Sequence, residues 1–151
     1  MRKFTTFFCI MFIAASAAKA QSDRIVGYWL TDEGQSQIEI YKVDGNKYNG
    51  RIVWLEEPLE DDGTHKVDKE NPDRSLRNRR LQGLEILAGF TYNSSKQEWE
   101  GGRIYDPENG RTYDAFMRLD GHNTLKLRGY VMGMRWLGRT TDWTRERSLR
   151  E

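Results

Sequence analysis

The feature that most restricts this chain is a period of two that recurs in short segments, each ended by turn residues. Ser36 to Lys42 places Ile38 and Ile40 on one face and Gln37, Glu39 and Tyr41 on the other, the alternation of a half-buried strand. Asp44-Gly45-Asn46 is turn chemistry, and Lys47 to Leu55 resumes the alternation with Tyr48, Ile52 and Trp54 set against Asn49, Arg51, Val53 and Leu55. Gly27 to Thr31 is a shorter β-prone block before them, closed by Asp32-Glu33-Gly34. Further on, Leu84, Ile86, Ala88, Phe90 and Tyr92 share a face, Asn93-Ser94-Ser95 turns, and Glu98 to Tyr105 runs back. Asp106 to Gly110 leads into a strand over Arg111 to Leu119, Asp120 to Asn123 turns into Thr124 to Val131, and Gly138 to Thr144 ends the series. Only Ser75 to Arg80 offers a turn or two of helix. About eight short antiparallel strands predict an all-β domain. Closure into a single up-and-down barrel removes the edges on which such strands aggregate. A two-sheet sandwich satisfies the same pattern.

Met1-Arg2-Lys3, the uncharged run from Phe4 to Ala15 and the small-x-small ending Ala18-Lys19-Ala20 predict an export signal over residues 1–20, cut after Ala20. The run is too short for a bilayer span, which takes ~20 apolar residues. Residues 21–151 then form one domain, periplasmic or secreted, with no transmembrane segment. Cys9 is the chain's one cysteine and leaves with the signal. No disulfide, thiolate nucleophile or cysteine-held metal is then available to the rest. The whole chain sets 24 Lys and Arg against 23 Asp and Glu; three of those cations and none of the acids fall in the first 20 residues, which leaves residues 21–151 at −2. Nucleic-acid binders carry a marked positive excess, so no nucleic-acid partner is expected.

Glu56 to Gly83 breaks the regular spacing with acidic, proline-containing and arginine-rich stretches. Connections this long are functional or disordered more often than they are spacers. Two readings stand. One is a solvated loop whose arginines and acids pair at the surface. The other is a lid over one barrel mouth, with Arg74, Arg77, Arg79 and Arg80 offering guanidinium groups to an anion.

Several strings occur in order along the chain: Gly27-Tyr28-Trp29, Asn71-Pro72-Asp73 with Arg79 and Gly83, Trp99 to Pro107 with Gly110 and Tyr113, Leu125 to Tyr130, and Gly138-Arg139-Thr140 with Trp143 and Arg145. Together they resemble the bacterial family called domain of unknown function 2147, over nearly all of residues 21–151. The resemblance implies an exported β-barrel similar to the calycins, the superfamily of lipocalins and fatty-acid-binding proteins, and no established reaction. In lipocalin-like barrels the tryptophan of a first-strand Gly-x-Trp packs inside the closed end beneath a cation from near the last strand. The resemblance thus implies structural closure by Gly27 and Trp29, with Arg139 or Arg145 as the cation. The chain lacks the disulfide and the long tail of a typical lipocalin.

No Gly-x-Ser-x-Gly elbow, His-Glu-x-x-His pair, phosphate-cradling loop or dinucleotide fingerprint is present. His65 and His122 fall in separate loops, and the acids Asp61, Asp62, Asp68, Glu70 and Asp73 do not have calcium-loop spacing. No metal and no cofactor is expected. Asp106, Glu108 and Asp114 read as a carboxylate pair for hydrolysis or, more simply, as turn residues. The aromatics Trp54, Trp99, Tyr105 and Tyr113 either fill a small barrel or line a partly open pocket. If Trp99 and Tyr105 face inward, period two sets Arg103 beside them, and an inward cation needs an acid such as Asp114 or Glu85, or an anionic ligand. The expected function is therefore binding of a small hydrophobic or amphiphilic ligand, an anionic lipid in the sharpest form, by Trp54, Trp99, Arg103, Tyr105, Tyr113 and Arg79. An envelope-associated interaction or structural module and a hydrolase are the alternatives.

Overall fold

In the computed structural model, which describes residues 19–151, the alternating segments become eight strands. They are β1 Gly27–Leu30, β2 Ser36–Val43, β3 Lys47–Leu55, β4 Glu85–Asn93, β5 Glu98–Asp106, β6 Arg111–Asp120, β7 Thr124–Val131 and β8 Met134–Glu146. Each pairs antiparallel with the next, and β8 returns to β1, so the sheet closes into an up-and-down barrel and not a sandwich. The expected signal segment, apart from Lys19 and Ala20, lies outside the described residues. The helical turn anticipated near Ser75 is a single 3-10 turn, Arg74–Leu76, capped by the Asp73 carboxylate on the Ser75 amide.

The barrel has two unlike halves. Toward the β2–β3, β4–β5 and β6–β7 turns its inside is packed by Trp29, Tyr48, Phe90, Trp99, Met117 and Leu125, all buried. Each such side chain contributes roughly 1.5–3 kcal/mol by leaving water. The packing depends on Gly102, where a Cβ would lie 2.4 Å from the Phe90 ring. Toward the β1–β2, β5–β6 and β7–β8 turns the interior is open.

Strict alternation fails in β3–β4, where the register shifts on both sides of Gly50: Leu87 is buried and Ala88, expected to share a face with Ile86 and Phe90, is exposed. Three further departures decide which side chains reach the open half. The β2–β3 register slips between Gln37 and Ile38, so that Gln37 faces Trp54 and Ile38 faces Ile52. One extra residue moves Trp54 out of the face it would share with Ile52. The β5–β6 register slips between Trp99 and Gly102, with Gly101 at a φ of 76° that glycine adopts freely. Beyond that bulge Gly102 and Ile104 face inward and Arg103 faces out. In β8, Tyr130 pairs with Gly138 and Val131 with Met134. Arg135, Trp136 and Leu137 are thus pushed out as a bulge, and it is fastened from below: the Arg128 guanidinium donates to the Arg135 and Trp136 carbonyls, and Arg135 donates to Glu98 at 2.7 Å. Glu98 is fully buried on the outer wall because Arg118 and Arg135 both bind it.

Residues 56–84 form a folded strap. Bridges join Leu59 to His65 and Val67 to Arg80. The strap is fastened to the rim through Asp68, a buried carboxylate that accepts from the Tyr105 hydroxyl at 2.5 Å, Asn71 at 2.8 Å and Arg79 at 2.9 Å. Its backbone also runs so close to the β5–β6 turn that a Cβ at Gly110 would lie 2.0 Å from the Glu70 carbonyl oxygen.

Candidate functional site

The packed end is sealed by the segment before β1. The 3-10 turn Asp23–Ile25 folds across the barrel, and the buried Trp29 indole donates to the Ile25 carbonyl at 2.9 Å. Arg145 stacks on Trp29, its guanidinium 4.1 Å from the ring centroid. The same group donates to three carbonyls, those of Arg24, Val26 and His122. Gly27 leaves room for it: a Cβ there would lie 3.2 Å from the Arg145 Nη1. Burial, and then the neighbouring charge of Arg24, lower the Arg145 pKa, and the three carbonyls and the indole face offset that cost. Asp23 completes the seal by accepting from Tyr48 at 2.6 Å and Lys42 at 2.7 Å, bonds that hold its carboxyl below the usual range.

The opposite end holds a cavity of about 710 Å³. Ile86, Ile104, Leu127 and Trp143 form its apolar wall, with Tyr113 and Tyr130 nearer the mouth. The volume is within the ~300–1,000 Å³ of small-molecule sites, and an apolar wall with few polar groups is their usual construction. One polar atom inside is unsatisfied, the buried Thr141 hydroxyl. A single face of β8 serves both ends. Arg139 and Thr141 line the cavity, Trp143 is buried between, and Arg145 covers Trp29. Arg139 and Arg145 are therefore not interchangeable, because six residues of strand set them roughly 20 Å apart.

Of the six residues expected to bind ligand, the cavity brings together Tyr105 and Tyr113. Tyr113 accepts from the Asn109 side chain at 3.2 Å. Tyr105 sits at the rim with its hydroxyl given to Asp68. The other four lie elsewhere. Trp99 is in the packed half, against Tyr92 with ring centroids 4.7 Å apart and its indole donating to the Ser22 carbonyl. Trp54, turned out by the β2–β3 bulge, lies under the last residues of the chain, donating to the Glu151 carbonyl beneath the Arg150 guanidinium. Arg103, turned out by the Gly101 bulge, is 73% exposed and 3.8 Å from Asp114 on the outer wall. Arg79 holds Asp68, and Arg77 donates to the Asn71 carbonyl, so the strap uses these arginines to fold itself. No strap residue lines the cavity, so the strap flanks the mouth and is not a lid over it. Asp106 accepts from the Glu108 amide and the Asn109 side chain, as a turn residue does. Among the described residues no three His, Cys, Asp or Glu side chains gather as a metal would require. Thr141 is not singled out in the sequence, and Trp143 enters only through the family strings and not as a site residue, although both alternate with Arg139 and Arg145 on one face.

The Tyr105 hydroxyl has a measurable signature. Burial, reinforced by the bond to Asp68, pushes its pKa up to about 12, and burial with Glu85 does the same for Tyr41. A folded-state pKa raised on a group that is neutral when protonated stabilises the fold below the unfolded value of about 10 and is lost as pH rises toward 12. Burial, then the bond to Asp23, raises the Tyr48 hydroxyl as well. Phenolate absorbance should therefore show Tyr41, Tyr48 and Tyr105 titrating late among the seven tyrosines. Tyr105→Phe should remove one late-titrating group and flatten the alkaline loss of stability in that interval.

The sequence profile of a family described as an uncharacterized protein conserved in bacteria, DUF2147, matches residues 27–145. Among solved structures, protein HP1028 from Helicobacter pylori, described as belonging to the lipocalin family, is similar in fold. The TM-score is 0.68 and the identity 24%, over 81% of this chain and 82% of that one. No curated protein matches the chain. The matched span covers β1 and reaches into β8, taking in Trp29, Arg145 and the cavity wall, and the chain accordingly belongs to the DUF2147 family, with the fold of a lipocalin-like barrel.

Proposed function

We propose that this protein is exported, cut after Ala20, and binds a small, largely apolar ligand in the open half of its barrel. The observation that carries the reading is the cavity itself, about 710 Å³ with an apolar wall, open at one end and sealed at the other. The cut is compatible with the place where, among the described residues, the barrel first takes hold: the Ser22 carbonyl and the Asp23 carboxylate are bound by Trp99 and Tyr48. A chain beginning at Gln21 keeps both contacts. The anionic head expected from the sequence has less support, since Arg103 and the strap arginines do not line the cavity.

Native mass spectrometry of the protein taken from its own envelope should show a retained small molecule and an N-terminus at Gln21. Leu127→Trp, which fills the cavity from its wall, should abolish retention with little change in melting temperature. Retention unaffected by that filling would overturn the cavity as the site, and a retained Met1 would overturn export with cleavage. A second reading, an interaction module, is favoured by one feature, the β7–β8 hairpin, where Met132 is 83% and Trp136 74% exposed. Binding to an envelope partner that Met132→Ser with Trp136→Ser abolishes, while cavity occupancy persists, would select it.

A further inference from the structure

From the charge around the mouth we infer that the ligand is a cationic amphiphile, an inference that rests on the ligand-binding reading above. Asp32 and Glu33 stand at the mouth on the β1–β2 turn, and Asp106 and Glu108 on the β5–β6 turn, against one cation among the described residues, Arg139. None of the four carboxylates takes part in an ion pair among the described residues. The strap reinforces the imbalance. A hollow of about 400 Å³ beside the mouth shares Gln35, Pro107 and Glu108 with it and adds Glu56 and Glu70. The lysines of that hollow, Lys66 and Lys69, are already matched by Glu57 and Glu60. Since residues 21–151 total only −2, an excess of three negative charges at one mouth is a local arrangement and not the average of the chain.

Low-dielectric walls focus the field of such a rim on whatever enters. A carboxylate or phosphate head would meet like charge from both turns, whereas an ammonium or amidinium would meet carboxylates that bind only neutral N–H groups of their own turns. Deeper in, the wall is apolar except for the buried Thr141 hydroxyl, which has no partner among the described residues and offers one hydrogen bond. The complementary molecule has an apolar or aromatic body, at most one polar atom along it, and a positive group that stays at the mouth.

Three probes with one tail separate the possibilities: decyltrimethylammonium, decanol and decanoate, titrated calorimetrically into residues 21–151. The variants are Asp32→Asn with Glu33→Gln and Glu108→Gln, all exposed positions, and separately Arg139→Gln. The ammonium should bind about tenfold more tightly than decanol and decanoate more weakly than either, with the preference shrinking as salt is raised. The triple variant should bring the ammonium to the affinity of decanol and leave decanol unchanged. Equal binding of all three, or tightest binding of decanoate with its loss in Arg139→Gln, would overturn the inference while leaving the cavity as a ligand site. No binding of any probe to either form would overturn the ligand-binding reading along with it.

Discussion

Trp29→Ala is expected to cost about 3–5 kcal/mol, the range for truncating a fully buried indole, and to lower the melting temperature by roughly 10–20 °C. More than packing is lost. The indole donates to the Ile25 carbonyl, which holds the 3-10 turn across the barrel end, and it is the surface on which the Arg145 guanidinium rests. Without it, Arg145 keeps its carbonyls but sits over a hole. Trp29→Phe, which keeps a ring but not the N–H, should cost less than the alanine change. Arg145→Met should cost the cation–ring contact, ~0.5–2 kcal/mol, and also leave the Arg24, Val26 and His122 carbonyls without their donor. Chemical denaturation of the three variants checks the ranking. A midpoint for Trp29→Ala equal to that of the parent would mean that the seal contributes nothing to stability.

The second large effect is expected at the strap. Gly110→Ala should detach it, because the new Cβ would stand 2.0 Å from the Glu70 carbonyl oxygen, a contact with backbone that no side-chain rotation relieves. Asp68→Ala should act on the same attachment from the other side, at about 1.5–3 kcal/mol, since Tyr105, Asn71 and Arg79 all lose their acceptor. Limited proteolysis should then cut within residues 56–84 in both variants and leave the parent intact. The two changes touch one interface, so together they should cost less than their sum. A protease pattern identical to the parent's would show that the strap is held by other contacts.

How much of this was readable in the sequence depends on the length scale of the signal. The strands were readable because alternation over several residues, ended by Asp44-Gly45-Asn46 or Asp120-Gly121-His122-Asn123, has few other interpretations. Side-chain direction was not, because a single added residue reverses it. Val53 and Gly101 do this to Trp54 and Arg103; a valine announces no bulge, and the Gly101-Gly102 pair, which does suggest one, does not say on which side of it the direction turns. For the same reason the candidate site was half legible. Tyr113, opposite Ile104 beside the β5–β6 turn, reaches the cavity as the pattern suggested, whereas Tyr105, reversed along with Arg103, touches it only at the rim and turns its hydroxyl to Asp68. Trp99, on the near side of the bulge, keeps its inward direction but lies in the packed half. Depth along the axis is set by how strands stagger around the ring, which no single strand encodes. The same stagger explains why the sequence left Arg139 and Arg145 as equivalents when they belong to opposite ends.

The pairing of β1 with β8 places Tyr28 opposite Glu146, so the two ends of the domain lie side by side. A ribosome delivers these partners far apart in time. Until the last strand emerges, β1 and β7 are both bare edges, and the carbonyls of Arg24 and Val26 await an arginine that has not been made. Pairings between consecutive strands can form as the chain lengthens, but the β1–β8 pairing spans the whole domain in sequence and is the slow, non-local one. The first strand is therefore the last to be secured: its seal waits for an arginine from the final one.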